Sequence, residues 1–309
     1  MHHFININLR EIVPFINWTY FFRAWKMSGR YDGIETANDS CKADWLYQFP
    51  EAERAKAEEA LKLFCDAQEM LRRFLDEKTV QANAVFGIFP AYAAQNDIII
   101  CNNKQKIIIP TLRQQQPSGD GFCYSLADFL AEKDDFIGIF ACTMLGAEKD
   151  AKKYEQNGDL YSSFLVQTLA DRLAEAVSEW LHFQVRKNFW AYNPDEVLDV
   201  EQILKKQYPG IRPAVGYPSL PDQSIIFELD TVLKLNKIGI KLTENGAMIP
   251  AASVCGLYFS HPKSKYFIVG EIDRCQFADY ASRRGKTVDE MKKWLPFIGN
   301  SDIFCTFVR

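Results

Sequence analysis

The sequence predicts an α+β protein with a largely antiparallel sheet, and three observations carry that prediction. Residues 84–112 hold three strand-like runs, AVFGIFPAY, NDIIICNN and QKIIIPTL, the last two joined by an Asn-Asn-Lys turn that signals a hairpin. Two long amphipathic runs, Pro50 to about Asp76 and Leu160 to about Lys187, read as helices. Strands therefore follow one another through short turns while helices collect elsewhere, unlike repeated βαβ units.

Taken in order, PFINWTYFFRAWKMSGRY is aromatic-rich and reaches Gly29, which suits a buried helix with a glycine stop. The run from Pro50 opens with proline and acids and places Ala60, Leu61, Phe64, Ala67, Leu71 and Leu75 at helical spacing. DDFIGIFACT is a further buried strand. LYSSFLVQTLADRLAEAVSEWLHFQVRK is the longest helix, and Tyr208-Pro209-Gly210 punctuates the chain after it. The final third alternates a helix, SIIFELDTVLKLNKIG, with two strands, ASVCGLYFS and KYFIVGEI, and two short helices around CQFADYASRRG and TVDEMKKWL.

At 309 residues, 48% hydrophobic and 25% charged, the chain is long and apolar enough to bury a sizeable core, which excludes disorder as its ground state. A net charge of -4 with Lys and Arg spread along the chain offers no basic field for nucleic acid. Eight cysteines stand far apart with no CxxC or CxH pair, mostly in apolar runs, so they read as reduced small hydrophobes in a cytoplasmic protein. Polar breaks within every ten residues of MHHFININLREIVPFINW leave neither a signal peptide nor a membrane span.

Conventional catalytic motifs are missing. SGDGFCY, Ser118 to Tyr124, lacks the third glycine of a phosphate loop and reads as a plain loop. No GxSxG, HExxH or GKS/T occurs, and four scattered histidines support neither a catalytic triad nor a metal site. One polar stripe stands out on the long helix: Asp171, Glu175, Ser178 and His182 at i, i+4, i+7 and i+11. Such a stripe is most often a solvated face; it can also border a ligand groove and aim a carboxylate at an amine or ribose. Periodicity does not choose between the two.

GIRPAVGYPSLPDQS, residues 210–224, spends three prolines, two glycines and one arginine on fifteen positions. Arg212 lies between Ile211 and Pro213, which biases its backbone to the extended region and pre-places a guanidinium suited to bidentate capture of a carboxylate. Gly216 permits close approach or a positive φ, Tyr217 offers an aromatic face, and Pro218 and Pro221 stiffen the exit. A proline-rich connection whose arginine pairs with a surface acid is an equal reading of these residues alone.

GIRPAVGYPSLPDQ, with its RxxxGY core, resembles the S-adenosylmethionine-binding signature of the reactivation domain of cobalamin-dependent methionine synthase. INWTYFFRAWKMSGRY, LRQQ, SLADFLA, DFIGIFACT, LADRLAEAVSEWLHFQVRK, GIKLTENGAMIPAASVCGLYFSHPKSKYFIVGEI and CQFADYASRRG match the same family in the same order. The likeness covers about residues 10–297, within one activation-like domain over 1–309 and with 298–309 as a C-terminal tail. It implies a single C-shaped α+β domain with a twisted antiparallel sheet and a shallow S-adenosylmethionine groove. It also implies the activity: reductive methylation of cob(II)alamin, in which reduced cobalt is the nucleophile and the protein only positions the sulfonium methyl. A chain with that role needs no catalytic base, so none is assigned.

The resemblance places Arg212 on the methionyl carboxylate and Tyr266 and Phe267 of SKYF on the adenosyl and sulfonium parts, with Gly216 and Tyr217 completing the signature. Without it, Tyr266 and Phe267 are ordinary strand residues facing opposite sides of a sheet. Glu175 falls on the helix carboxylate that borders the groove. Two positions depart from the family: Asn17 stands where its IDWTPFF segment carries an aspartate, which predicts weaker ligand binding because an amide brings no charge to an amine. Gln223 stands where a corrinoid-facing histidine is usual.

The implied partners are the cobalamin-binding module of methionine synthase and a flavodoxin-like electron donor, with no nucleic acid and no membrane. Met1 just ahead of the resemblance reads as a free-standing chain acting in trans, or as an excised piece of a longer one. Two alternatives share the groove: a module that senses S-adenosylmethionine or binds a corrinoid protein without supporting methyl transfer, and reactivation of another corrinoid methyltransferase.

Overall fold

A computed structural model describes residues 2–37, 42–102 and 105–295. In chain order β1 (His2–Ile7), α1 (Leu9–Ile12), α2 (Trp18–Ala24), α3 (Lys42–Tyr47) and α4 (Glu51–Glu77) lead into the strands β2 (Gln81–Ala94), β3 (Asp97–Asn102), β4 (Gln105–Pro110) and β5 (Asp135–Leu145). Two helices follow, α5 (Ala147–Gln156) and α6 (Leu160–Gln184), and then α7 (Val200–Leu204) and α8 (Ile225–Leu233). The last elements are β6 (Lys241–Leu242), β7 (Met248–Ile249), β8 (Ser253–Tyr258), α9 (Arg274–Arg283) and α10 (Val288–Met291).

The main sheet runs β4-β3-β2-β5-β8, with β1 also paired to β2. The pairs β2–β3, β3–β4 and β5–β8 are all antiparallel, so the α+β expectation holds. The predicted hairpin is β3–β4, in register from Asp97 opposite Pro110 to Asn102 opposite Gln105; two of its turn residues, 103 and 104, lie outside the described residues.

The chain divides into two compact units, one of residues 1–5, 84–143 and 181–309, the other of residues 6–83 and 144–180. In the first, Val85, Ile98, Ile100, Ile109, Ile137 and Ile139 of the sheet join Ile225, Ile226 and Leu229 of α8 and Phe277 and Tyr280 of α9 in one buried cluster. The second is built around α4, which Pro50 opens at the N-cap and whose Ala57, Ala60, Leu61, Phe64, Ala67, Met70 and Leu71 form the buried stripe. Trp18 of α2 meets Phe64 edge-on at 4.7 Å, and Trp25 meets Phe164 of α6 at 4.7 Å.

Several expectations are corrected. The aromatic helix ends before Gly29, because Lys26 adopts φ 57° and the Lys26 and Met27 amides donate back to the carbonyls of Arg23 and Phe22. Phe74 rather than Leu75 closes the buried stripe of α4, which at 27 residues is longer than α6 at 25. Past Gln184 the predicted last turn of α6 becomes a π-helical turn, Val185–Phe189. KYFIVGEI forms no named strand. Cys65, Cys101, Cys123, Cys142 and Cys255 are free thiols. The tail 298–309 lies outside the described residues. Among those residues no helix is long and apolar enough to cross a membrane.

Candidate functional site

The signature segment runs antiparallel along the β8 edge, joined to it by isolated bridges. Ile211 and Phe259 exchange two backbone hydrogen bonds of 3.0 Å, the Leu257 amide donates to the Pro213 carbonyl at 3.0 Å, and the Val215 amide donates to the Cys255 carbonyl at 2.9 Å. Gly256 makes the approach possible: a Cβ there would sit 2.4 Å from the Pro213 carbonyl oxygen and 2.9 Å from the Ala214 Cα. At the end of the run the chain doubles back. Gly216 takes φ 83°, its amide donates to the Leu220 carbonyl at 2.9 Å, and the Leu220 amide donates to the Tyr217 carbonyl at 2.8 Å. The sequence assigned this loop its glycine and prolines; its β8 partner was not legible.

The same register sets Arg212 opposite Tyr258. The Arg212 amide donates to the Tyr266 hydroxyl at 3.0 Å, so RPAVGY and SKYF meet although 54 residues separate them. Segment 264–272 is not the strand expected. Its backbone is held by a Val269 amide donated to the Pro218 carbonyl at 3.0 Å and by the Gln114 side chain, whose Nε2 donates to the Ile268 carbonyl at 2.9 Å. The expected opposition of faces survives: Tyr266 is 38% exposed, whereas Phe267 is 7% exposed and packs against Tyr124 and Phe129. Arg212 is half-buried and Tyr217 exposed beside it in the chain.

LRQQ is the clasp of this unit. Gln114 Oε1 accepts from the Tyr124 amide and the Ser118 hydroxyl, which orders the SGDGFCY loop. Gln276 of α9 brackets the Arg113 backbone with bonds of 2.7 and 3.0 Å, and the Arg113 guanidinium grips Asp128 at 2.7 and 2.5 Å. Inside the loop Asp120 pairs with Lys265 and accepts from the Tyr124 hydroxyl, and these bonds hold its carboxyl at about 2. Lys265 also lies 4.3 Å above the Tyr124 ring.

Behind the signature lies a polar and aromatic cluster that the sequence did not reveal. His182 is fully buried, stacked on Tyr258 at 4.9 Å and bonded through Nε2 to the Tyr192 hydroxyl at 2.9 Å. Burial, and then the Arg186 and Arg212 charges, lower its pKa well below 6.5, which keeps the ring neutral. Arg186, in the π turn, forms a fully buried bidentate pair with Glu196, both bonds at 2.7 Å, and its guanidinium lies 3.6 Å over the Tyr208 ring. The polar stripe of α6 is therefore no solvated face at its C-terminal end: Ser178 is buried and donates to the Ala174 carbonyl at 3.0 Å.

Of the residues assigned to the ligand, Arg212, Gly216, Tyr217, Tyr266 and Phe267 fall in the first unit, while Glu175 and Asn17 fall in the second. Glu175 is half-buried on α6, four residues from Asp171, whose carboxyl is pushed up by desolvation, with a smaller opposing effect from Arg172 and a reinforcing one from Glu175. Asn17 is the N-cap of α2, its carbonyl accepting from the Tyr20 and Phe21 amides. Gln223 directs its Nε2 to the Gly246 carbonyl at 2.8 Å.

Comparison with known proteins bears on the family and the fold. Residues 8–285 match the family model described as vitamin B12 dependent methionine synthase, activation domain. Among solved structures, a MetH reactivation domain bound to AdoHcy superposes with a TM-score of 0.86 at 38% sequence identity, over 97% of this chain and 91% of that one. With the match spanning the signature, its β8 partner and the LRQQ clasp alike, the chain belongs to the activation-domain family of vitamin B12 dependent methionine synthase.

Proposed function

We propose that the chain binds S-adenosylmethionine and supports reductive methylation of cob(II)alamin carried by a partner protein or module of a cobalamin-dependent methionine synthase. The observation that carries the reading is the bond between the Arg212 amide and the Tyr266 hydroxyl, which joins two sequence-distant motifs at one place. A half-buried arginine whose backbone is tied to the exposed Tyr266, with the exposed Tyr217 five residues on, fits a ligand with a carboxylate at one end and an aromatic, cationic body.

In this reading Arg212 holds the carboxylate, while Tyr266 and the backbone of the Gly216-Tyr217 turn receive the adenosyl and sulfonium parts. Phe267 anchors the segment from below. Bound S-adenosylmethionine supplies the methyl group, and the protein's contribution is orientation. Glu175 and Asn17 are proposed as further ligand contacts on the family pattern. A flavodoxin-like protein is the proposed electron donor, and a cytoplasmic setting follows from these partners.

Calorimetric titration with S-adenosylmethionine tests the binding step, wild type beside Arg212→Ala, Glu175→Gln and Asn17→Asp. Saturable wild-type binding that Arg212→Ala abolishes and Asn17→Asp strengthens is expected. A folded wild type that binds nothing overturns the reading. The commitment of Gln223 to Gly246 favours a second reading, in which the chain binds S-adenosylmethionine as a sensor without supporting methyl transfer. Methylcobalamin formation on an added cobalamin protein with reductant separates the two.

A further inference from the structure

Lys206, which neither the signature nor the family likeness singled out, reaches the Tyr266 ring. It follows the last turn of α7, where its amide donates to the Ile203 carbonyl at 2.8 Å and its backbone takes φ 57°. That left-handed turn aims the side chain back over segment 264–272, and its Nζ lies 4.3 Å from the Tyr266 ring centroid. The hydroxyl of that ring accepts the Arg212 amide. The ammonium and the backbone of Arg212 thus meet the same side chain, that of Tyr266.

We infer that Lys206 sets the charge preference of the site, favouring the neutral thioether S-adenosylhomocysteine over the sulfonium S-adenosylmethionine. The inference rests on the proposed binding of S-adenosylmethionine at Arg212 and Tyr266. Both ligands share the carboxylate, the amine and the adenosine, and they differ at sulfur by one methyl and one positive charge. Any pull of Lys206 on the shared carboxylate therefore cancels in the ratio of their affinities. What remains is repulsion between the ammonium and a sulfonium, together with competition for the face of Tyr266, since each cation seeks the same electron-rich ring. Both effects have one sign, whatever other charges surround the site. A reactivation site so biased retains its product: accumulated S-adenosylhomocysteine occupies it and slows further methylation.

Isothermal titration of both ligands into wild type, Lys206→Gln and Lys206→Glu tests this, with Lys205→Gln as the neighbouring-charge control. Removing the ammonium is expected to shift the affinity ratio toward S-adenosylmethionine by roughly three- to ten-fold, and charge inversion by more. Raising salt should shrink the shift, because the ammonium is exposed to screening. An unchanged ratio in both Lys206 variants, with both ligands still bound, overturns the inference alone. Failure of the wild type to bind either ligand overturns the underlying reading instead, and equal shifts in Lys205→Gln would reduce the effect to general surface charge and overturn the role of Lys206.

Discussion

Arg186 and Glu196 form a bidentate ion pair entirely removed from solvent, capped by the Tyr208 ring and placed at the one π-helical turn among the described residues. Asn193 and Lys187 complete it, Asn193 Nδ2 donating to Glu196 Oε2 and Lys187 Nζ to the Glu196 carbonyl, each at 3.0 Å. Breaking one side strands a charge where water cannot reach it.

Glu196→Gln is accordingly expected to destabilise the protein by about 3–5 kcal/mol, the range for an uncompensated buried charge. Urea unfolding checks it. The double variant Arg186→Met with Glu196→Leu should lose far less, because an apolar pair of similar size leaves no charge stranded. Equal losses in both variants would mean that packing rather than charge dominates the site.

Gly256→Ala places a methyl against two backbone atoms of the signature segment, and backbone cannot rotate aside as a side chain can. A cost of about 1–3 kcal/mol is expected, as for other overpacked sites. The segment must leave the β8 edge, so titration with S-adenosylmethionine should show weakened binding even though residue 256 needs no contact with ligand. Undiminished affinity would show that Arg212 is positioned without the β8 ladder.

His182 gives stability a pH dependence near neutrality. Its folded pKa is lowered well below 6.5 by burial and then by the Arg186 and Arg212 charges, so below 6.5 the unfolded chain takes up a proton that the folded chain refuses. Stability from this source is complete above 6.5 and is lost as pH falls toward the lowered folded value, at a limiting slope of about 1.4 kcal/mol per pH unit. Denaturation midpoints between pH 7.5 and about 5 should show that slope in wild type and lack it in His182→Gln.

Asp120 contributes in a separate window. Its folded pKa is about 2 against an ordinary 3.8, lowered first by the Lys265 hydrogen bond and then by that of Tyr124. The contribution is present above 3.8 and is lost as pH falls toward 2. Asp120→Asn should leave the neutral-pH fold intact and flatten the stability curve in that acid window, read by circular dichroism. Because the pair is exposed, 0.5 M salt should weaken it in wild type.

Legibility in the sequence follows the range of the interactions involved. The β3–β4 hairpin and helix α4 were readable because period and turn chemistry are local; Pro50 opens α4 as its position suggested. Arg212, Gly216 and Tyr217 announced a stiff turn on the same grounds. The β8 partner of that turn was hidden, since a ladder between residues 211–215 and 255–259 leaves no periodic trace apart from Gly256 within a strand. Segment 264–272 alternates like a strand yet is clasped by Gln114 and Pro218, a tertiary override of a correct local pattern. His182 was visible as part of a stripe, but its stacking on Tyr258 and its burial depend on elements far along the chain.

The ladder along β8 also fixes a reading frame. Side chains of an extended segment alternate between faces, so inserting or deleting one residue between Ile211 and Val215 would turn Arg212 from the Tyr258 side to the opposite face while leaving every backbone bond able to re-form one step along. Substitutions in this stretch trade one side chain for another; a length change there swaps the chemistry of a whole face. In loop 118–124 a methyl on Gly119 would meet nothing within 4 Å, so that end of the loop faces no such steric limit. Lineages that vary this fold can therefore be expected to record insertions in that loop and to keep the spacing of the signature invariant.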